Sequence, residues 1–268
     1  MQKNINIIDR NKSTDSAFIR NTNVKFFVPG TDELIFEKSN KVILSGSIFT
    51  ASKHFNLTPA VRTPSYNTVM DLENTVVEDP GISGLRREEK VILFAVGTDG
   101  CGPQADQVFD VDYKKWIEPE SLVPFRYPLL IDDISIGSRD VYFGRKIIND
   151  RVAYYFKTFE VDPIFIQRFK NGTPITENIY TSTSVEPVES IVELKLKITK
   201  EECREWFIET IGLNSAVVNT ISLLTGWVKI IDGIKYYQDI RPLTKINIPN
   251  EYLSSLDKGM DIIYHIYY

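Results

Sequence analysis

The sequence predicts a mostly β, α+β chain: an antiparallel, β-sandwich-like domain with two short helices near its C-terminal third. Three observations point there. Short runs rich in Val, Ile, Phe and Tyr are repeatedly cut by Pro, Gly, Asn and Asp, the residue types that strands and tight turns require. Helical signals are confined to residues 199–226. At 268 residues, with 43% hydrophobic and 25% charged positions, the chain can bury a sizeable core without disulfide or metal staples.

Residues 1–23 are polar and asparagine-rich, with isolated apolar points at Ile5, Ile7, Ile8, Phe18 and Ile19. Too little apolar surface is present for a separate core, so the segment reads as a flexible arm able to order on a partner, or as an extended segment lying on its own domain. Residues 24–268 read as one β-rich domain. VKFFVPG, ELIFEK and KVILSGSIFTA are strand-like, and the proline-bearing stretch 52–87 reads as a long loop of the kind that contacts partners. EEKVILFAVG, from Glu88, is almost continuously apolar and predicts a strand buried on both faces.

DVYFGRKII and VAYYFKTFEV flank Asn149-Asp150-Arg151, which predicts a hairpin. Val188–Ile198 alternates apolar and charged residues, as a half-solvated antiparallel strand does. Thr199-Lys200-Glu201-Glu202 has the form of a capping box for ECREWFIETIG, with Gly212 placed to end that helix. SAVVNTISLLTG, with Val217, Ile221 and Leu224 at helical spacing, predicts the second helix. Asp232-Gly233 between WVKII and IKYYQDI calls for a type I′ turn. The terminal DIIYHIYY reads as a strand that pairs at a sheet edge or with a second subunit.

The totals exclude several classes of function. A net charge of −5, with no basic cluster beyond pairs such as Arg86-Arg87 and Lys114-Lys115, provides no field for phosphate neutralisation, so no nucleic-acid partner is expected. No run of 18 apolar residues exists, so no membrane association is expected. The conspicuous GTDGCG places glycines at 97, 100 and 102, in the wrong register for a dinucleotide and without the Gly-Lys-Ser/Thr ending of a phosphate loop. Asp99, Asp106, Asp110 and Asp112 do not follow the calcium-loop spacing. Cys101 has only His54 and His265 in the chain as imidazole partners, and Cys203 reads as core filler. No catalytic residue, cofactor or metal is therefore expected, and the loop reads as a multi-turn connection. A carboxylate pair brought together only by folding is the enzymatic route left open.

Tyrosine-rich YYFKTF, KYYQDI and IYHIYY, the arm and the long loop together favour assembly, because tyrosine is enriched at interfaces. The residues expected at a subunit interface are Ile7, Ile8, Phe18, Tyr264, Tyr267 and Tyr268. Over residues 24–268, AVGTDGCG, LVPFRY, YFGRK, AYYFKTF, ECREWF, the Asp-Gly hairpin and DIIYHIYY, in that order, resemble virion structural proteins of long-tailed bacteriophages. The resemblance implies a non-enzymatic, oligomeric subunit made in the bacterial host cytoplasm and located in the virion. Its partners would be copies of itself and other virion proteins. Size and a single domain with an arm favour a ring in the neck, the head-to-tail connector. The alternatives are a capsid decoration or baseplate component, or a carbohydrate- or receptor-binding β domain.

Overall fold

A computed structural model describes residues 21–55, 64–73, 89–102, 107–112, 114–135, 140–175, 187–252 and 259–268. Two antiparallel sheets form the architecture. The smaller runs β2 (Leu34–Ser39), β1 (Asn21–Phe27), β13 (Met260–Tyr267), β9 (Val188–Ile198), β8 (Ile164–Phe169). The larger runs β3 (Lys41–Val42), β12 (Thr244–Tyr252), β10 (Val217–Ile231), β4 (Lys90–Gly97), β7 (Arg151–Thr158), β6 (Tyr142–Ile148), with β11 (Ile234–Pro242) also on β10 and β5 (Leu122–Val123) on β4. Three α-helices accompany them among the described residues: α1 (Leu44–Phe55), α2 (Tyr66–Val69) and α3 (Arg204–Thr210).

The sheets pack face to face because each presents every second side chain inward. Val24 and Phe26 of β1, Leu194 and Leu196 of β9 and Ile262 and Ile266 of β13 meet Phe94, Val96, Val218, Ile221 and Ile246 of the larger sheet in one buried cluster. Between the layers the Tyr264 hydroxyl and Thr244 Oγ1 lie 2.9 Å apart, so the one polar tip in this region is satisfied. The opposite face of the larger sheet carries a second core, in which Leu93, Ala95 and Leu224 pack on Tyr66, Phe143 and Phe156. Strand β4 is thus buried on both faces, as its unbroken apolar run requires. The β-rich, sandwich-like fold is as the sequence predicts.

Both predicted hairpins form. Asn149 and Asp150 take φ of 50° and 60°, and Asp232 and Gly233 take 52° and 80°, the positive pair a type I′ turn requires. Strand β9 and the arrest of α3 at Gly212 (φ 79°) also follow the sequence. Half of the capping box is made: Thr199 N donates to Glu202 Oε2 at 2.9 Å. The helix itself starts at Arg204, with Cys203 at φ 65° in the N-cap position, four residues beyond Thr199.

Several expectations are corrected. The segment SAVVNTISLLTG is not a helix but the start of β10, a strand of 15 residues. It pairs with β4 on one edge and with β12 and then β11 on the other, and its residues 218–227 lie between the two cores, so both faces are buried there and no alternation marks it. Only two residues of KVILSGSIFTA are strand, after which Leu44 opens α1. Small residues allow the close packing: Ile43 N donates to Leu243 O, the Ser45 hydroxyl to Pro242 O, and a Cβ at Gly46 would collide with the Leu243 backbone. Helix α1 also occupies the first four positions of the expected 52–87 loop, and Tyr66–Val69 forms a helical turn within it, with Ser65 as cap. Finally, β13 is not a sheet edge but the central strand of its sheet, between β1 and β9. Residues 21–23, which the sequence assigns to the arm, belong to β1, with Asn21 opposite Tyr267; residues 1–20 lie outside the described residues. Among the described residues no helix is long and apolar enough to cross a membrane.

Burial raises the hydroxyl pKa of several core tyrosines: Tyr155 to about 12 from an ordinary 10.0, and Tyr66, Tyr142 and Tyr264 also upward, with Glu202 adding to the rise at Tyr142. A raised folded value means that these groups contribute stability in full below pH 10 and lose it as pH climbs from 10 through the folded values. Absorbance at 295 nm should therefore show a delayed fraction of tyrosine ionisation that coincides with loss of the circular dichroism signal. A complete titration centred near pH 10 with unchanged dichroism would contradict this burial.

Candidate functional site

The GTDGCG loop leaves β4 and is anchored by its own side chains. Asp99 Oδ2 accepts from Lys245 Nζ at 2.8 Å, and Asp99 Oδ1 from Thr220 Oγ1 at 2.9 Å. Gly100 N donates to Asn219 Oδ1 at 2.8 Å, and Gly102 N to Gln107 O at 2.9 Å. The Cys101 thiol donates to Ile248 O, and burial pushes its pKa up despite the nearby Lys38 charge, the opposite of what a thiolate nucleophile needs. Asp112 caps its own turn by accepting from Lys114 N, and Asp106 lies outside the described residues. Among the described residues no three His, Cys, Asp or Glu side chains are grouped to hold a metal ion. His54 lies in α1; His265 sits on the outer face of the smaller sheet, its Nε2 3.0 Å from Glu193 Oε2.

A second buried charge cluster lies where α3 joins the two sheets. Lys157 Nζ is 2.7 Å from Glu202 Oε1, with the side chains 10% and 3% exposed, and it also donates to Lys197 O at 2.6 Å. The same Glu202 oxygen accepts from the Tyr142 hydroxyl at 2.5 Å. Beside it, Arg126 makes a two-pronged contact with Glu205 at 3.2 and 3.0 Å, and Tyr127 N donates to Glu205 at 2.8 Å. Every charged tip is matched, which makes this a cross-link between elements rather than a poised acid or base. In the sequence Glu202 reads only as a helix-start residue, because its partners on β6 and β7 are distant along the chain.

A cleft of about 330 Å³ lies between β6 and β11. The larger sheet curls until Phe143 and Tyr237 meet edge to face, their centroids 4.2 Å apart. The segment following Ser65 fills part of the gap between the two strand edges. Asn67 donates to Tyr237 O at 2.9 Å and accepts from Ile240 N at 2.8 Å, while Glu73 N donates to Arg145 O at 2.9 Å. The remaining cleft is walled by Tyr142, Tyr154, Ile234 and Tyr236, with Asp140 at its rim. Its Glu73 carboxylate is held by Arg145 at 2.7 Å. No sequence motif marks this cleft as a site, although KYYQDI, YFGRK through Tyr142–Arg145 and YYFKTF through Tyr154 all contribute to it.

The predicted interface residues divide. Tyr264 is fully buried inside its own chain, so it is a core residue and not an interface one. Tyr267 is half-buried on the outer face of the smaller sheet, and Tyr268 is 41% exposed beside it. Ile7, Ile8 and Phe18 lie outside the described residues. Exposed apolar side chains lie at several places where the sequence gives no sign: Ile164 and Phe165 of β8, an end strand of its sheet, with Val161 just ahead of it; Ile230 and Ile234 at the β10–β11 hairpin tip; Leu129 and Leu130; and Ile208 and Ile211 at the end of α3.

Fold and surface define an antiparallel β-sandwich with helical additions, one aromatic cleft and apolar strand ends. The chain matches no known protein family, no curated protein and no solved structure.

Proposed function

We propose that this chain is a non-enzymatic structural subunit of a tailed-phage virion that assembles with copies of itself into a ring, in the neck between head and tail. The observation that carries the reading is the presence of two unlike apolar surfaces on different sheets. Phe165 on the β8 edge is 62% exposed, and Ile230 and Ile234 at the hairpin tip are 66% and 57% exposed. A ring is built from heterologous contacts, in which one patch of each subunit meets a different patch of the next. An open apolar strand edge also tends to pair with another chain unless something covers it. The matched charges around Glu202 and the Arg145-bound Glu73 support a scaffold rather than a catalyst.

The test is light scattering with size-exclusion chromatography on the full chain, followed by negative-stain imaging. Oligomeric rings are expected, and Phe165→Asp should shift the population toward monomer with little change in thermal stability, because the side chain is mostly exposed. A chain that stays monomeric as its concentration is raised, whatever stands at 165, would sink the ring. Antibody labelling of particles at the head–tail junction tests its place.

A further inference from the structure

We propose that the cleft between β6 and β11 is a strand-addition site, and that its occupant is residues 4–8, NINII, of a neighbouring copy; this rests on the oligomeric reading above. In an antiparallel pair the backbone groups of successive residues point alternately to the partner and away from it. The two-residue turn at Asp232-Gly233 puts Ile231 opposite Ile234, Ile230 opposite Lys235 and Val228 opposite Tyr237. Counting from that turn, Lys235 and Tyr237 direct their backbone N–H and C=O away from β10, into the cleft. The bond from Asn67 to Tyr237 O fits this count.

Asn67 therefore shows what the edge accepts. Its carboxamide, chemically a peptide group, donates to Tyr237 O and accepts from Ile240 N, as a neighbouring strand would. One peptide-like group is already in place at the inner end, and the edge continues past it to Lys235 along an aromatic wall. An extended peptide added there would gain main-chain hydrogen bonds from the edge and specificity from alternate side chains in the cleft.

Residues 4–8 suit that geometry. Ile5 and Ile7 would fall on one side of a strand, toward Phe143 and Tyr237, with Asn4 and Asn6 on the other. Overall charge favours association of the segment with a second copy, although the cleft lining itself balances Glu73 and Asp140 against Arg145 and Lys235. Residues 1–20 carry Lys3, Arg10, Lys12 and Arg20 against Asp9 and Asp15, so the chain's net −5 resolves into +2 on this segment and −7 on the remainder. Reach points to a neighbour. From Asn21, at the start of β1, back to residue 8, the chain can extend about 43 Å at ~3.3 Å per residue. That is about the diameter of a domain this size, roughly 45 Å. The cleft opens on the face of the larger sheet that is turned away from the sheet holding β1.

The experiment uses the full chain with the photoreactive residue benzoylphenylalanine in place of Tyr236, made in unlabelled and nitrogen-15 forms and mixed before irradiation. Cross-links from position 236 to a peptide containing residues 4–8 are expected, with the two ends in chains of different isotope. Lys235→Pro should cut their yield about tenfold, since proline blocks an edge N–H that β10 does not use, and the hairpin should survive. Cross-links only to other segments, only within one copy, or undiminished by Lys235→Pro would each overturn the proposal. Rings that persist without the cross-link would remove this inference and leave the ring reading standing, whereas a monomeric chain would remove both.

Discussion

Replacing Glu202 with Ala should lower the unfolding free energy by about 3–5 kcal/mol, the usual cost of leaving a buried charge without its partner. The reasoning starts from burial: the Glu202 and Lys157 side chains are 3% and 10% exposed, with Nζ and Oε1 2.7 Å apart. Without the carboxylate, the Lys157 ammonium keeps only Lys197 O, and the Tyr142 hydroxyl and Thr199 N–H lose their acceptor. The approach to α3 thereby loses its tie to the β6–β7 hairpin, in which Tyr142 and Lys157 stand opposite each other, because Thr199 and Glu202 lie just ahead of the helix. The double change Lys157→Met with Glu202→Leu removes both charges together and should recover more than half of the loss. Urea unfolding of the two variants decides the matter. A single-variant loss below about 1 kcal/mol would mean that water reaches this pair in solution.

What was legible in the sequence follows from how locally each feature is determined. The turns at Asn149-Asp150 and Asp232-Gly233 could be placed because positive φ at two successive positions is demanded by the turn and tolerated by few residues. Strand β9 could be placed because one of its faces is wet, so its pattern alternates. Strand β10 reads as a helix in the sequence for the converse reason. Its residues 218–227 are buried on both faces, Asn219, Thr220, Ser222 and Thr225 included, so no wet–dry alternation appears, and Val217, Ile221 and Leu224 satisfy helical spacing. The centre-sheet place of β13 was equally hidden, since Tyr264 is an interface-type residue in isolation and becomes core only because Thr244 stands opposite its hydroxyl. The cleft was not legible at all. Its walls come from β6, β11 and the segment around Asn67, and the amide that mimics a strand there looks like any loop asparagine.

Gly100→Ala is expected to destabilise the chain by about 3 kcal/mol or more, as overpacking against an immobile backbone does. A Cβ at this position would press into the Asn219 carbonyl oxygen, with Thr220 Oγ1 at 2.5 Å and Asn219 C at 2.9 Å. Strand β10 cannot yield, because Thr220 is paired with Gly97 on one side and Asn247 on the other. The loop cannot yield cheaply either. Moving it would break the bond from Gly100 N to Asn219 and pull Asp99 from Lys245, whose side chain is 7% exposed. Gly102→Ala provides the contrast two residues away: its Cβ would meet chiefly the tip of the Gln107 side chain, which can rotate aside, so less than about 1 kcal/mol is expected. Thermal unfolding should place the Gly100 variant on the order of 6–12 °C below the unaltered chain, with the Gly102 variant close to it. If the two variants melted together, tight contact between the loop and β10 would not be what the glycine at 100 serves. If they separate as expected, the glycine that most resembles part of a ligand cradle is accounted for by the backbone it touches.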